Sequence, residues 1–153
     1  AKLFEYPQQA AEVLNDFLSR LAQGTETIAA PAIGGITVGY ELARLLGCRF
    51  IFAERRDGKM AFRRGFALAP GEKVLVVEDV VTTGGSVQEV VDLARQCGAK
   101  VLGVAAVVDR SGGRSKVDLP VTSLLSLEIE VYKPADCPLC AKGIALDQPG
   151  SRN

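Results

Sequence analysis

The chain reads as an α/β protein, a central and mostly parallel sheet flanked by helices. Short apolar runs rich in β-branched residues recur at 27–30, 49–53, 74–77, 101–108 and 121–127, which suits strands covered on both faces. Between several of them lie segments with apolar residues at helical spacing, and strands alternating with helices predict parallel pairing. Three of the strand ends carry glycine-rich, hydroxyl-rich or cationic residues. Ligands of open α/β sheets bind outside the carboxyl ends of the strands.

At 153 residues, with 48% apolar and 24% charged residues, the chain is long enough to bury one core without staples. The 18 acidic and 18 basic residues cancel, so overall charge offers no case for nucleic acid or membrane partners. No apolar run approaches the roughly 20 residues of a membrane-spanning helix, and no basic-then-apolar leader opens the chain. A cytoplasmic protein is expected. The chain contains no histidine, which excludes histidine-based nucleophilic machinery and histidine-ligated metal centres within it. Proton transfer would fall to Asp, Glu, Lys or Tyr.

In order, residues 7–21 place Ala10, Val13, Leu14, Phe17, Leu18 and Leu21 on one stripe. They predict an amphipathic helix with Gly24 as its stop. A strand at 27–30 leads into the turn PAIGGI at 31–36 and a second helix over 38–46. Gly34 and Gly35 permit close approach of backbone to an anion, although on their own they read first as a plain turn. The strand at 49–53 runs into ERRDGKMAFRRGF, a hairpin with a turn signal at Asp57 and Gly58. Arg55, Arg56, Lys59, Arg63 and Arg64 concentrate positive charge there, enough to neutralise a polyanion, while a solvated hairpin remains the plain alternative.

Residues 74–86, VLVVEDVVTTGGS, are the most specific stretch. A buried strand ends in Glu78 and Asp79, passes through Val80 and Val81, and reaches Thr82, Thr83, Gly84, Gly85 and Ser86. Ser86 is the expected N-cap of a helix carrying Val87, Val90, Val91, Ala94 and Cys97. Turned backbone N–H groups, hydroxyls and a helix N-terminus together make a phosphate cradle, though glycines alone fit an ordinary turn. Gly98 ends this helix, and the strand at 101–108 terminates in Asp109 and Arg110. Arg110 is aligned either with the acidic site or with a neighbouring carboxylate. After the strand at 121–127, residues 131–153 read as an irregular tail of the same domain, whose core spans 1–130. Cys48 and Cys97 fit core thiols. Cys137 and Cys140 leave half a zinc site, a redox pair and a tail disulfide open.

VLVVEDVVTTGGS resembles the phosphoribosyl-pyrophosphate (PRPP) signature of type I phosphoribosyltransferases, and within them the chain is similar to bacterial orotate phosphoribosyltransferases, one branch of which carries a CPLC tail. The resemblance implies the type I fold with a mobile basic hairpin, and transfer of the 5-phosphoribosyl group from PRPP to orotate. It implies PRPP contacts from Arg55, Arg56, Lys59, Glu78, Asp79 and residues 80–86. Pyrophosphate would fall to Ala32, Ile33, Gly34 and Gly35, and orotate to Thr82 and Arg110. Catalysis would fall to Lys59, Glu78 and Asp79, with Mg²⁺ held through substrate and water rather than by a protein cage.

The family also implies a homodimer whose basic loop is shared across the interface. Ala61 stands where many members carry a histidine after the lysine. Those enzymes begin with a hood over the base, and this chain opens in what matches the helix after it, so the hood segment is expected to be absent here. A phosphoribosyltransferase for a purine or uracil, and a non-catalytic PRPP-sensing regulator, are the alternatives.

Overall fold

The computed structural model describes residues 2–130 and 132–145. Helix α1, Pro7–Phe17, starts with Pro7 in its first turn and buries Ala10, Leu14 and Phe17. Its continuation tightens to a 3₁₀ turn over Leu18–Arg20, so the expected helix to residue 21 ends early and Gly24 serves the following turn instead. The reason is an anchor. The Arg20 guanidinium donates to the carbonyls of Ser123 at 2.5 Å and Leu124 at 3.4 Å.

Strand β1 is Thr27–Pro31, followed by helix α2, Gly34–Leu46. Strands β2, Arg49–Arg56, and β3, Lys59–Phe62, form the hairpin. Strand β4, Lys73–Val81, is followed by helix α3, Gly85–Gln96, and by strands β5, Lys100–Asp109, and β6, Val121–Ser126. The sheet order is β3-β2-β1-β4-β5-β6, with β2–β3 antiparallel and every other pair parallel.

The turn-then-helix boundaries shift in two places. Helix α2 begins at Gly34 rather than Val38, so both glycines of the turn lie in its first turn. Helix α3 is capped by Gly84 in the left-handed region, φ 77°, whose carbonyl accepts from Gln88 N–H at 2.9 Å. Ser86 is therefore inside the helix and is not its N-cap. Gly98 follows α3 at φ 80°, the left-handed position common after helix ends.

Side chains alternate between the faces of β4 as strand geometry requires. Val74 and Val76 join the core under α3, with Val87, Val90, Val91 and Ala94, and Val81 joins the same core at the strand's end, outside that alternation. Leu75 and Val77 face the opposite core, with Leu14, Phe17, Val38 and Leu42. Cys48 and Cys97 are half-buried against these two cores.

Residues 132–145 hold a 3₁₀ turn, Pro134–Asp136, and a short helix α4, Pro138–Ala141. Val131 and residues 146–153 of the expected tail lie outside the described residues.

At the amino end of the sheet, Glu72 ties three strands together. It accepts from the Thr27 hydroxyl and from Ala69 N–H at 2.7 Å, and it pairs with Arg49 at 3.2 Å. Burial raises its carboxyl, but Thr27, the Ala69 N–H and Arg49 together hold it below the usual range. A carboxyl depressed in the folded state stabilises above its unfolded pKa, and that contribution is lost as pH falls through the folded value. Glu72→Gln should cost about 1.5–3 kcal/mol at pH 7, the range for hydrogen bonds to a charged group. In urea titrations the difference from wild type should shrink as pH drops below the carboxylate range. A deficit independent of pH would contradict this account.

Candidate functional site

Helix α2 leads from β1 outward to β2, and α3 leads from β4 the other way to β5. The strand order therefore reverses between β1 and β4, and such a switch point leaves a crevice at the carboxyl ends. The predicted loops meet there. Ala32 N–H donates to the Ala53 carbonyl at 2.8 Å, which fixes the start of the β1–α2 connection, whose Ala32–Ile33 peptide is cis.

Gly34 and Gly35 then bring α2 down onto the end of β4. A Cβ on Gly34 would lie 2.6 Å from Asp79 Oδ1, and one on Gly35 would lie 3.1 Å from the Val77 carbonyl and 3.2 Å from Glu78 Oε1. A side chain at Gly34 would have to displace the Asp79 carboxylate, and one at Gly35 would crowd Ala30, the Val77 carbonyl and Glu78. The two carboxylates thus sit against the positive end of α2, where negative charge is favoured. Each is also held locally: Glu78 Oε1 accepts from Asp79 N–H at 3.1 Å, and Asp79 Oδ1 accepts from Val80 N–H at 2.8 Å. Val80 is half-buried and Val81 fully buried, so these two act as strand and core.

Two adjacent carboxylates suit a hard divalent ion that takes most of its ligands from bound oxygens and water. Among the described residues no group of three or more His, Cys, Asp or Glu side chains gathers.

Thr82 and Thr83 are exposed beyond the strand, and Gly84 turns the chain into α3. The next wall comes from the β5–β6 loop. Arg110 N–H donates to the Val81 carbonyl at 2.8 Å, and Lys116 N–H donates to the Thr83 carbonyl at 2.9 Å. The Asp109 carboxylate accepts from Ser111 N–H at 2.8 Å. Arg110 makes no ion pair among the described residues and lines a cleft of about 420 Å³ with Thr82, Thr83, Ser111, Arg114, Lys116 and Ile129. Arg110 thus lines this cleft, whose described lining does not include Glu78 or Asp79. The cleft also holds Arg114 and Lys116, which the sequence reading missed. Their one sequence signal was the cationic character of the short SGGRSK segment after Arg110.

The hairpin is less free than its composition suggested. Arg55 forms a two-pronged pair with Glu89 of α3, at 2.9 and 3.0 Å, and donates to the Gly58 carbonyl at 2.6 Å. Arg64 grips Glu54 with two bonds of 2.8 Å and lies over the Phe52 ring. Arg56 lies 3.6 Å from Asp57. Lys59 and Arg63 make no ion pair among the described residues. Within one chain the hairpin stands across the sheet from the cleft, since β5 and β6 lie beyond β4. In the tail, the Cys140 N–H and thiol draw the Cys137 thiol down, while hydrogen bonding to Cys137 pushes Cys140 up.

A carboxylate pair at the switch point, a phosphate-suited turn beside it and a cationic cleft define a phosphoribosyl-transfer domain. The family model for the phosphoribosyl transferase domain matches residues 7–140. An orotate phosphoribosyltransferase of Chlorobium phaeobacteroides is 50% identical over 99% of this chain and 79% of its own length. One from Thermotoga maritima is 50% identical over 99% of the chain and 82% of its own. The chain belongs to the orotate phosphoribosyltransferase family. Its fold is also that of the adenine phosphoribosyltransferase of Rhodothermus marinus, with a TM-score of 0.70 and 20% identity, covering 82% of this chain and 83% of that one. Leishmania donovani UMP synthase superposes with a TM-score of 0.66 at 19% identity, over 82% of this chain and 28% of that chain.

The two loops of the site depend on Gly84. A Cβ there would sit 2.3 Å from Ser115 Oγ and 2.7 Å from Val117 Cγ2, and a left-handed non-glycine residue costs about 1–2 kcal/mol by itself. Gly84→Ala should therefore lower unfolding free energy by more than the backbone cost alone. A Ser115→Ala background should recover part of the loss. Strict additivity of the two changes in urea titration would argue against this contact.

Proposed function

We propose that this chain transfers the 5-phosphoribosyl group of PRPP to orotate, giving orotidine 5′-monophosphate and pyrophosphate, a step of pyrimidine nucleotide synthesis. The observation that carries the proposal is the conjunction of half identity to orotate enzymes along the whole chain with a cationic cleft holding Arg110 and Thr82 beside the acidic strand end. A guanidinium fork matches a carboxylate and ring carbonyls in two-pronged fashion, as an ammonium does not.

In this reading residues 82–86 receive the 5-phosphate, while Glu78 and Asp79 face the ribose hydroxyls. Residues 32–35 take the pyrophosphate at the start of α2. As the bond from the anomeric carbon to pyrophosphate lengthens, positive charge grows on the ribose and negative charge on the leaving group. Fixed carboxylates near the first and fixed cations near the second lower that barrier without reorganising. Glu78 and Asp79, with substrate and water, are the residues that would hold Mg²⁺, which would supply further neutralisation of charge on the leaving group.

Lys59 is the cation assigned to the leaving group, supported by its exposure and by its making no ion pair among the described residues. Arg56 flanks it, and Arg55 joins it only when the pair with Glu89 opens. Because the hairpin stands across the sheet from the cleft, a homodimer that lends each hairpin to the partner's site is the arrangement favoured. Ile33, 79% exposed, and Tyr40, 62% exposed, offer an apolar surface beside the site for that contact, with Tyr40 edge-on to Phe50. Residues 1–130 form the catalytic core in this reading, and the free thiols suit a cytoplasmic enzyme.

The test is PRPP-dependent consumption of orotate with Mg²⁺, run beside uracil, adenine, hypoxanthine and xanthine. Orotate alone should turn over; turnover of a purine instead would overturn the base assignment, and no turnover of any base would favour a PRPP-sensing regulator. Arg110→Ala should weaken orotate binding by about 1.5–3 kcal/mol and leave PRPP binding within twofold. Equal loss of both ligands would contradict its placement on the base side.

A further inference from the structure

The cleft beyond β4 and β5 contains more positive charge than one carboxylate of a base requires. Among the described residues its charged lining is Arg110, Arg114 and Lys116, with no carboxylate. Arg114 is partly occupied, 3.4 Å from Glu128, with both side chains well exposed. Lys116 makes no ion pair among the described residues.

Its backbone, by contrast, is fixed. The Lys116 N–H donates to the Thr83 carbonyl at 2.9 Å, and the Ser115 hydroxyl accepts from Val117 N–H at 3.2 Å to lock the turn around it. The segment lies so close to Gly84 that a Cβ there would be 3.3 Å from the Lys116 nitrogen. The β5–β6 loop is thus clamped onto the turn between β4 and α3, and Lys116 lines the cleft alongside Thr82 and Thr83.

We propose that Lys116 is a further substrate-binding residue, a cation that meets the 5-phosphate of the phosphoribosyl group from the β5–β6 loop. This rests on the reading that residues 82–86 receive that phosphate. Three cations lining one cleft repel one another, and an anionic ligand converts that repulsion into attraction. Arg110 accounts for the single carboxylate of the base. A doubly charged phosphate beside Thr83 calls for a second cation, and Lys116 is the one whose backbone is tethered to that residue. A lysine suits the task because its compact ammonium acts as a point charge toward phosphate oxygens.

The experiment measures calorimetric affinities of the full chain for ribose 5-phosphate, orotate and pyrophosphate, in wild type and in Lys116→Met, Lys116→Arg and Arg114→Met. Lys116→Met should bind ribose 5-phosphate about tenfold more weakly, the low end for a charged hydrogen bond at an exposed position. Orotate and pyrophosphate should stay within twofold, and the dependence of ribose 5-phosphate binding on salt should flatten. Lys116→Arg should retain most of the affinity, and Arg114→Met should change ribose 5-phosphate binding less than Lys116→Met does. Unchanged thermal melting excludes a folding defect.

Wild-type affinity for ribose 5-phosphate in Lys116→Met would overturn the proposal, as would loss of orotate with ribose 5-phosphate intact. If wild type binds ribose 5-phosphate but turns over a base other than orotate, the base assignment fails and the Lys116 result is still read independently. If wild type does not bind ribose 5-phosphate, both readings fall.

Discussion

The first turn of α2 packs tightly against the carboxyl end of β4, and much of the chemistry depends on that contact. Two glycines leave the α2 side of that contact without side chains, so that Asp79 lies within 2.6 Å of where a Gly34 Cβ would be and Glu78 within 3.2 Å of where a Gly35 Cβ would be. The consequence is electrostatic as well as steric. The carboxylates are held at the positive end of a helix, and the N–H groups of the same helix end remain a place for an anion. Anionic protein groups and an anionic ligand can share one crevice only if each has its own donors. The local bonds Glu78 and Asp79 take from the β4 backbone supply theirs.

Around that contact the charges are segregated although the chain is neutral overall. Carboxylates occupy the switch point, cations line the cleft beyond β5, and a second cationic group stands on the hairpin at the opposite edge of the sheet. A reaction that separates a growing cation on a sugar from a growing anion on its leaving group needs this spatial order. A uniform field of either sign would stabilise one half and oppose the other. The ion pairs of the hairpin, Arg55 with Glu89 and Arg64 with Glu54, are exposed and individually worth little. They set its resting position at a cost that a polyanionic ligand can exceed.

The sheet and the acidic strand end were legible from sequence because each signal is local: β-branched runs, a carboxylate pair directly after one of them, glycines where the chain must turn. The boundaries that moved did so for tertiary reasons. Gly34 and Gly35 look like a turn and lie in a helix because that helix must close on β4. Ser86 has the chemistry of an N-cap, yet Gly84 already turns the chain at φ 77°. Arg114 and Lys116 carried no distinctive motif. They become site residues only because Lys116 pairs with Thr83 across 33 positions of chain, a contact between loops that periodicity does not encode. The anchoring of Arg20 to β6 was invisible for the same reason.

The fold by itself does not choose the base. A structure with a TM-score of 0.70 to this chain is named for adenine, whereas the sequences at half identity are named for orotate, so one architecture carries enzymes named for different bases. What the architecture supplies is the switch point between β1 and β4, with its glycine contact and its acidic strand end. Selection then has to come from side chains on loops, and here the loop that carries Arg110 is the one clamped onto the β4–α3 turn through Lys116 and Gly84. With the roles proposed for Arg110 and residues 82–86, base recognition and phosphate binding are mechanically joined. A change in the β5–β6 loop that repositions Arg110 also moves Lys116, whose backbone is bonded to Thr83, so in that reading a shift in base preference is felt by the ribose 5-phosphate half of the site.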